Sequence, residues 1–396
     1  MAGLNFEEAF EKLINAAKVK NEIKIVPLAQ ALGKVLAEDI ISSRDLPPYN
    51  NSALDGYAVR YTERGTRLRI NKTTIFAGVS LDACLGKDEC YKIMTGAKIP
   101  ADADTIVRFE DACVEGEFVN IPESLKQNDG FRAKGEECKK GELLVPKGAQ
   151  INAAHIALFA AVGVACVKVK SSLKICVLSS GNELKEPYEH ATPDQLYNIN
   201  SYALIALLSS FGFEADYGGI IPDDLEKTTR FFHDIKEYDV IISSGGVSVG
   251  EADFVKEALK KNGFEAIFTS INLKPGKPTT CGTMGKTIVL SMAGNPLAAI
   301  LNTFLFAIPC LKKIQGESDF EHKSMEAVNV ESFKLKDARA NVVMGRLENG
   351  KFYVTNKGKI NSGEVLPLSK SNAISIVSAG TPLVEKGDII KVYRIF

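Results

Sequence analysis

The sequence contains no tryptophan and only four histidines among its 396 residues. Its eight cysteines include no C-x-x-C pair, and with so few histidines to join them, neither a zinc cage nor a disulfide framework is favoured. We interpret the cysteines as small apolar residues without a nucleophilic role. Charge of one sign is also lacking, because 48 basic residues balance 49 acidic ones. The chain therefore has no global charge that would draw it to nucleic acid or to anionic lipid.

A long hydrophobic run is missing as well. The longest, residues 297–311, includes Asn302, Thr303 and Pro309 and falls short of the ~20 residues needed to cross a bilayer. Residues 1–18 show an amphipathic helical pattern without the apolar centre and cleavage site of a signal peptide. We therefore expect a cytoplasmic protein in a reducing compartment that does not contact a membrane.

The length predicts two to four domains, at roughly 100–200 residues each. From Leu173 onward, apolar strands alternate with helices, which is typical of a mostly parallel sheet covered on both faces. Short alternating segments between glycines near the end of the chain indicate a small β-barrel. The fold class is thus multidomain α/β. The predicted boundaries are 1–44 with 131–170 for a helical platform and dimerisation domain, 45–130 for an inserted β-rich domain, 171–320 for the layered α/β domain and 325–396 for the C-terminal β-barrel.

The α/β pattern predicts where a ligand would bind. Strands are predicted at 173–179, 215–221, 239–243, 266–273 and 286–291, and helices at 200–211, 223–235, 251–262 and 297–314. In such a sheet, the loops that leave the carboxyl ends of the strands form the ligand crevice. The polar motifs SSGNE, SSGGVSVGEAD, KPGKP and AGNP nearly all lie at this edge, where we expect the site.

The segment SSGGVSVG, residues 243–250, follows a buried strand and opens a helix. Glycines in this setting let backbone N–H groups approach an anion, and the helix dipole favours it. The segment matches neither a Walker A loop nor G-x-G-x-x-G, so a tight turn that needs small residues is the alternative. Asp253, just after the loop, either caps the helix or holds a metal beside a phosphate.

Two further motifs at this edge suit an anion. Lys274 and Lys277 of KPGKP lie on a loop stiffened by two prolines, which suits the binding of an oxyanion. Taken alone, the motif fits a solvated surface turn equally well. Asn295 of AGNP precedes a helix, where it caps free N–H groups or faces an anion.

Carboxylates recur at the same edge, at Glu183, Asp223, Asp224 and Asp253. Mg²⁺ usually takes one or two carboxylates and completes its shell with phosphate and water. Each carboxylate also has an alternative as a helix cap or first-turn acid. Their convergence on one edge favours a metal site.

The front half of the chain contributes two polar loops. Asp55 lies in PPYNNSALDGYAV and Thr95 in IMTGAKIP. These loops are either plain connections or the source of polar groups that reach a ligand across a domain or subunit boundary.

Six motifs follow one another along the chain: PPYNNSALDGYAV, IMTGAKIPADADTIVRFED, SSGNEL, SSGGVSVGEADFVKEAL, LKPGKP and AGNPLAA. In this order and spacing, the sequence resembles the molybdopterin molybdenumtransferases, which include bacterial MoeA and the gephyrin E domain. The resemblance covers essentially the whole chain. It implies an elongated four-domain homodimer in which the α/β domain of one subunit faces the β-domain of the other. It also implies a reaction, in which molybdate is inserted into the dithiolene of adenylylated molybdopterin with Mg²⁺, and molybdenum cofactor and AMP are released.

The resemblance further implies the roles of individual residues. Lysines and Mg²⁺ would stabilise the anions that develop as the pyrophosphate linkage breaks, so the protein needs little covalent chemistry. The implied roles are catalytic for Asp55, Thr95, Lys274 and Lys277, cofactor-binding for Gly245, Gly246, Ser248, Pro278, Asn295 and Arg339, and metal-binding for Glu183, Asp224 and Asp253.

The sequence departs from the family pattern at five positions. Asparagines stand where aspartates are usual at Asn50 and Asn182, an alanine replaces proline at Ala293, a glutamate replaces aspartate at Glu137, and a methionine replaces a common arginine at Met344. The fold interpretation does not depend on these residues. They bear on metal stoichiometry and molybdate affinity.

Two alternative functions stay open at this point. A dimeric scaffold of gephyrin type would bind a partner peptide without turnover, although the retained acidic and basic residues speak against it. The same transferase acting on tungstate is the other alternative, because the two oxyanions are alike in charge and shape. Contacts with the molybdopterin-adenylylating enzyme and with molybdoenzyme chaperones are a further expectation.

Overall fold

The computed structural model describes residues 3–79, 82–246, 254–335, 339–359 and 361–396. The chain divides into two compact units, one of residues 25–147 and 151–168, the other of residues 1–24, 148–150 and 169–396. This division is coarser than the four domains expected from the sequence, whose boundaries stay a prediction.

The segment up to residue 170 is mostly strands, with one amphipathic helix at its start and one apolar helix near its end. Asn5 begins the first helix because its side chain accepts a hydrogen bond from Glu8 N at 2.8 Å. The elements are α1 Phe6–Ala16, β1 Ile23–Pro27, β2 Ile40–Ile41, β3 Asn51–Ser52, β4 Gly56–Val59, β5 Arg67–Ile75, β6 Glu89–Ile93, β7 Thr105–Arg108, β8 Cys113–Glu115, β9 Phe118–Asn120, β10 Phe131–Arg132, β11 Leu143–Val145, α2 Ala153–Ala161 and β12 Cys166–Lys170.

The first unit is built on a six-stranded sheet in the order β7-β4-β6-β5-β9-β8. Neighbouring side chains of β4 face opposite ways, since Tyr57 and Ala58 belong to separate apolar clusters. The strands approach closely at Gly56, where a Cβ would lie 2.0 Å from Val107 O. The β-rich architecture predicted for this part of the chain is confirmed.

The segment from 171 to 320 alternates strands with helices. The elements are β13 Ile175–Ser180, β14 Leu184–Lys185, β15 Leu196–Tyr197, α3 Asn200–Ser210, β16 Asp216–Ile221, α4 Leu225–Asp234, β17 Val240–Ser244, α5 Phe254–Lys261, β18 Phe264–Phe268, β19 Leu273–Lys274, β20 Thr280–Met284, β21 Thr287–Met292, α6 Pro296–Asn302 and α7 Ile308–Gln315, with a π-helical turn, Thr303–Ala307, between the last two.

Six of these strands form one sheet in the order β16-β13-β17-β21-β20-β18. The first four are parallel, and β20 is antiparallel to both of its neighbours. Val177 and Leu178, consecutive in β13, belong to different apolar clusters, so both faces of the sheet are covered. This confirms the predicted layered, mostly parallel α/β core.

The C-terminal segment forms a closed five-stranded barrel. Its elements are β22 Ser324–Asn329, β23 Phe333–Lys334, β24 Ala340–Glu348, β25 Lys351–Val354, α8 Leu366–Ser369, β26 Ala373–Val377, β27 Leu383–Val384 and β28 Ile389–Arg394. The barrel closes because the sheet runs β24-β25-β22-β28-β26 and β26 pairs back to β24. The predicted barrel is therefore confirmed.

One predicted strand needs correction, and one strand was not predicted. The strand predicted at 266–273 corresponds to β18, but its predicted end is wrong, because β18 ends at Phe268 and residues 273–274 pair with the barrel instead, Lys274 opposite Asn341. The strand β20 was not predicted, because its sequence TCGTM lacks an apolar run. A Cβ on Gly282 would lie 2.3 Å from Glu265 O, so this strand needs the glycine that hides its pattern.

One apolar core joins parts of the second unit that are distant in sequence. Phe6 of α1 packs edge-on against Phe306 with ring centroids 5.3 Å apart, and Met344 of the barrel lies in the same cluster. The helical segment Pro296–Gln315 has 20 residues and is long and apolar enough to cross a membrane, but 89% of its most apolar stretch is buried inside the protein. We interpret it as the central core helix of this unit.

Candidate active site

A cleft of about 890 Å³ opens at the carboxyl edge of β13, β17 and β21. The sequence motifs predict a site at this edge. Five of the predicted site residues line the cleft: Glu183, Gly245, Gly246, Pro278 and Asn295.

The glycine loop at the end of β17 forms part of the cleft floor. Gly245 and Gly246 have φ of 92° and 66°, a region that favours glycine. A Cβ would lie 2.6 Å from Ser180 O at the first position and 2.3 Å from Val255 Cγ2 at the second. The loop thus has room only for glycine, as the tight-turn and anion-loop interpretations both require. The predicted residues Ser248 and Asp253 lie outside the described residues.

Two carboxylates face the cleft after β13 and β16. Asp223 accepts hydrogen bonds from Asn182 N at 3.2 Å and Ser180 Oγ at 3.5 Å. The Glu183 carboxylate folds back over Gly181, where a Cβ would lie 2.5 Å from Oε2. Both side chains offer oxygen atoms within one cleft, as a hard cation requires.

Asp224 occupies a different position from its neighbour. Its Oδ1 accepts a hydrogen bond from Lys227 N at 2.9 Å and so caps α4, and the residue is not among those that line the cleft. The structure therefore brings Asp223 to the cleft, where the sequence analysis selected Asp224. Among the described residues, no three side chains of His, Cys, Asp or Glu group as a complete metal site.

Two asparagines that the sequence analysis did not select support the cleft. Asn200 is 9% exposed, lines the floor, and donates to Ser244 Oγ at 2.6 Å and Gly294 O at 2.7 Å. Asn198 accepts from Ser179 Oγ at 2.9 Å. The signal was the segment YNIN at the start of α3, because asparagine side chains near a helix start hydrogen-bond to neighbouring groups.

A buried carboxylate lies in the hydrogen-bond network next to Asn198. Glu186 is 8% exposed and accepts hydrogen bonds from Tyr202 OH at 2.9 Å and from Tyr217 OH. Tyr217 OH also accepts from Asn198 Nδ2 at 2.9 Å, and both burial and the adjacent carboxylate raise the pKa of Tyr217. This network connects the cleft wall to the sheet.

The remaining wall of the cleft is apolar. It consists of side chains on and beside β14 and β15, of which Leu196 is 62% and Tyr197 47% exposed. The members are Leu184, Leu196, Tyr197 and Ile199. A polar floor beside an apolar, aromatic wall suits a ligand with an anionic part and a flat ring.

The three predicted basic residues, Lys274, Lys277 and Arg339, are not among the residues that line the cleft. Lys277 is exposed beside the cleft residue Pro278, and Lys274 is half-buried in β19. Arg339, also half-buried, precedes β24, and its carbonyl accepts a hydrogen bond from Asn341 Nδ2 at 2.8 Å. Pairing of β19 with β24 brings the backbone segments that carry these cations side by side.

Asp55 and Thr95 of the first unit contact each other directly. Asp55 Oδ1 accepts from Thr95 N at 2.7 Å and from Thr95 Oγ1 at 2.8 Å. These two hydrogen bonds, the backbone one first, lower the pKa of Asp55. Both side chains are exposed, so the pair presents a firmly ionised carboxylate at the surface.

Three of the five residues that depart from the family pattern make polar contacts. Asn50 Oδ1 accepts from Lys134 N at 2.8 Å, and Asn182 Oδ1 accepts from Asp223 N at 3.0 Å, bonds that an aspartate could equally make. Glu137 pairs with Arg132. The two others are buried: Ala293 lines the cleft, and Met344 is 3% exposed in the core.

The chain matches three family models in succession. Residues 4–163 match the MoeA N-terminal region (domain I and II), residues 176–313 match a probable molybdopterin binding domain, and residues 326–395 match the MoeA C-terminal region (domain IV). The cleft lies mostly within the second of these matches.

Curated relatives match along nearly the whole chain. A molybdopterin molybdenumtransferase of Haemophilus influenzae is 32% identical over 362 residues, which cover 90% of this chain and 88% of the relative. One from Staphylococcus epidermidis is 29% identical and covers 98% and 95%. A crystal structure of a molybdopterin biosynthesis MoeA protein from Pyrococcus horikoshii is 28% identical, with a TM-score of 0.82 over 100% of this chain and 99% of that one.

Proposed function

The chain belongs to the molybdopterin molybdenumtransferase family, and from that premise we propose that it inserts molybdate into adenylylated molybdopterin with Mg²⁺ and releases AMP. Membership makes it an enzyme of molybdenum cofactor biosynthesis. The observation that carries the finer proposal is the cleft, in which a glycine loop, two carboxylates and an apolar wall meet.

The parts of the cleft, and two lysines outside its lining, each have a task in this reaction. The glycine loop, with Gly245 and Gly246 lining the cleft without side chains, would let the backbone come close to the phosphates. Lys274 and Lys277 would stabilise negative charge on molybdate and on the phosphate that leaves. The apolar wall with Tyr197 would hold a flat ring of the substrate.

The residues present fit a magnesium ion. Glu183 and Asp223 supply carboxylate oxygens in one cleft, and a phosphate would complete the shell, which is the ordinary composition of a Mg²⁺ site. When bound, Mg²⁺ would neutralise phosphate charge during cleavage of the linkage. Removal of the ion with EDTA should stop AMP release, and added Mg²⁺ should restore it.

We propose that the active site is completed in a homodimer by the Asp55–Thr95 pair of the second subunit. The helix α2 supports a second copy as partner, because all of its residues except His155 are apolar while most of them are exposed. Eight cysteines without disulfides are compatible with the reducing cytoplasm that we expect for the enzyme.

The function is tested by incubating the purified protein with adenylylated molybdopterin, molybdate and Mg²⁺. AMP release that requires molybdate would support the proposal. Tight substrate binding without AMP release would contradict it and favour the scaffold alternative. Competition between molybdate and tungstate for incorporation decides which oxyanion is preferred.

The shared site is tested by mixing two inactive variants, Asp55→Ala and Lys274→Ala. Random reassortment makes half of the dimers hybrids with one intact site of two, so activity should return to about a quarter of wild type. The matched control mixes Asp55→Ala with Thr95→Ala, whose hybrids have a damaged residue in each site and should stay inactive. Equal recovery in both mixtures, or in neither, would argue against a site shared between subunits.

A further inference from the structure

The central core helix contains a polar interruption that its packing does not need. Between residues 297 and 311 every residue is buried, and apart from a thiol the polar side chains are the adjacent Asn302 and Thr303, both 0% exposed. They lie where α6 passes into the π-helical turn, a distortion that is frequent at functional sites. Burying an amide or hydroxyl is unfavourable unless it is hydrogen-bonded.

The Asn302 amide is used on one side only. Its Nδ2 donates to Gly276 O at 3.2 Å and to Thr279 Oγ1 at 2.6 Å. Its Oδ1 is buried and has no hydrogen-bond partner among the described residues. The amide therefore makes no side-chain hydrogen bond within its own helix, and both of its hydrogen bonds go to the KPGKP loop and the threonine that follows it.

The loop is shaped to receive this amide. Gly276 has φ of 105°, and a Cβ there would lie 2.0 Å from Asn302 Nδ2, so only glycine allows the approach. Its carbonyl also accepts from Thr279 N at 3.2 Å and Thr279 Oγ1 at 2.8 Å. A third bond, from Ile271 N to Lys277 O at 3.0 Å, closes the loop at its base.

We propose that Asn302 is a positioning residue that fixes the KPGKP loop, so that Lys274 and Lys277 are presented to the anionic substrates. This inference rests on the proposed function for its consequence in catalysis. Its structural part, that one buried amide determines the order of the loop, can be measured without any turnover.

The matched pair of variants is Asn302→Leu and Thr303→Val, both made in the full chain. Asn302→Leu removes the donor to the loop together with the unpartnered acceptor, while Gly276 O keeps both donors of Thr279. The thermal midpoint should therefore stay equal or rise. Thr303→Val removes a hydroxyl that has no partner among the described residues, and serves as the control for a polar group lost from the same helix.

The first measurement is hydrogen exchange of the peptide that spans residues 271–279. Loss of about 1 kcal/mol of loop stability should speed exchange roughly fivefold in Asn302→Leu and leave Thr303→Val at the wild-type rate. If Asn302→Leu does not fold, Asn302→Ser should show the same faster exchange. Unchanged exchange in a folded Asn302 variant overturns the proposal, whether or not the enzyme is active.

The second measurement is steady-state AMP release. In Asn302→Leu the KM for molybdate should rise roughly five- to tenfold, because the lysines are intact but less ordered, and kcat should fall by a smaller factor, because the same lysines stabilise the phosphate that leaves. Thr303→Val should match wild type. A fall in kcat with KM unchanged would refute positioning of the anion, whereas absence of AMP release by wild type would contradict the proposed function alone.

Discussion

Single residues at the cleft are constrained by what lies opposite them, and Gly246 is the clearest case. Its φ of 66° already disfavours a side chain, and Val255 on α5 occupies the place where a Cβ would go. Gly285, in the turn between β20 and β21, has nearly the same φ of 63°, but a Cβ there would meet no atom of the described residues within 4 Å. Comparing the two glycines therefore separates the cost of backbone strain, which both positions share, from that of steric exclusion, which occurs at Gly246 alone of the two.

We predict that Gly246→Ala is more damaging than Gly285→Ala. The second change should cost about 1–2 kcal/mol of unfolding free energy, the penalty of a left-handed alanine. The first adds a Cβ at 2.3 Å from Val255 Cγ2, so its thermal midpoint should be lower still and its affinity for AMP at least tenfold weaker. Calorimetry and titration with AMP check this, and equal effects of the two changes would contradict it.

At the scale of elements, the start of α4 shows two adjacent aspartates with different tasks. Asp224 caps the helix through Lys227 N, whereas Asp223 contacts Asn182 N and Ser180 Oγ at the cleft. Because a cap acts on stability and a cleft carboxylate acts on a bound ligand, the two roles can be separated by experiment.

Alanine substitution at each aspartate should therefore give opposite results. Asp224→Ala should lower the unfolding free energy by about 1 kcal/mol and leave AMP release within a few-fold of wild type. Asp223→Ala should change stability little but raise the Mg²⁺ concentration needed for half-maximal activity at least tenfold. A larger loss of activity in Asp224→Ala would instead support the metal role first assigned to that residue.

The sequence predicted the elements whose patterns are local. The strands β13 and β17 are recognisable from their apolar runs, and α4 from the aspartates before it. The resemblance identified Gly245, Pro278 and Asn295, which do line the cleft. What could not be predicted depends on partners distant in sequence. Lys274 pairs with a barrel strand, Asn302 reaches Gly276, and the Asn295 side chain donates to Ser362 Oγ at 2.8 Å instead of capping its helix.

At the scale of the whole molecule, α2 and its surroundings leave much apolar surface in contact with solvent. Leu143 and Ile41, cross-strand partners in β11 and β2, are 55% and 47% exposed, and Leu32 is 64% exposed. Exposed apolar residues in such number favour a surface that a partner covers. A stable interface buries about 800 Å² on each partner, so a homodimer through this surface would involve residues beyond α2.

We predict that Ala157→Glu, on the exposed side of α2, makes the protein monomeric at micromolar concentration, because a charge would be buried in an apolar interface. The control is Val114→Glu in β8, where the valine is 49% exposed in the same unit. Sedimentation velocity should show a monomer only for the α2 variant. A dimer in both would place the interface elsewhere.

The short strand β19 has a consequence for protein engineering. It lies in the α/β part of the sequence, yet its hydrogen bonds belong to the barrel sheet through Ala340 and Asn341. A barrel transplanted from a relative would therefore arrive without one of its own edge partners, and the host loop would have to pair with a foreign strand. Functional chimeras between relatives should need the KPGKP loop and the barrel to be exchanged together, although the two segments are separate in the sequence.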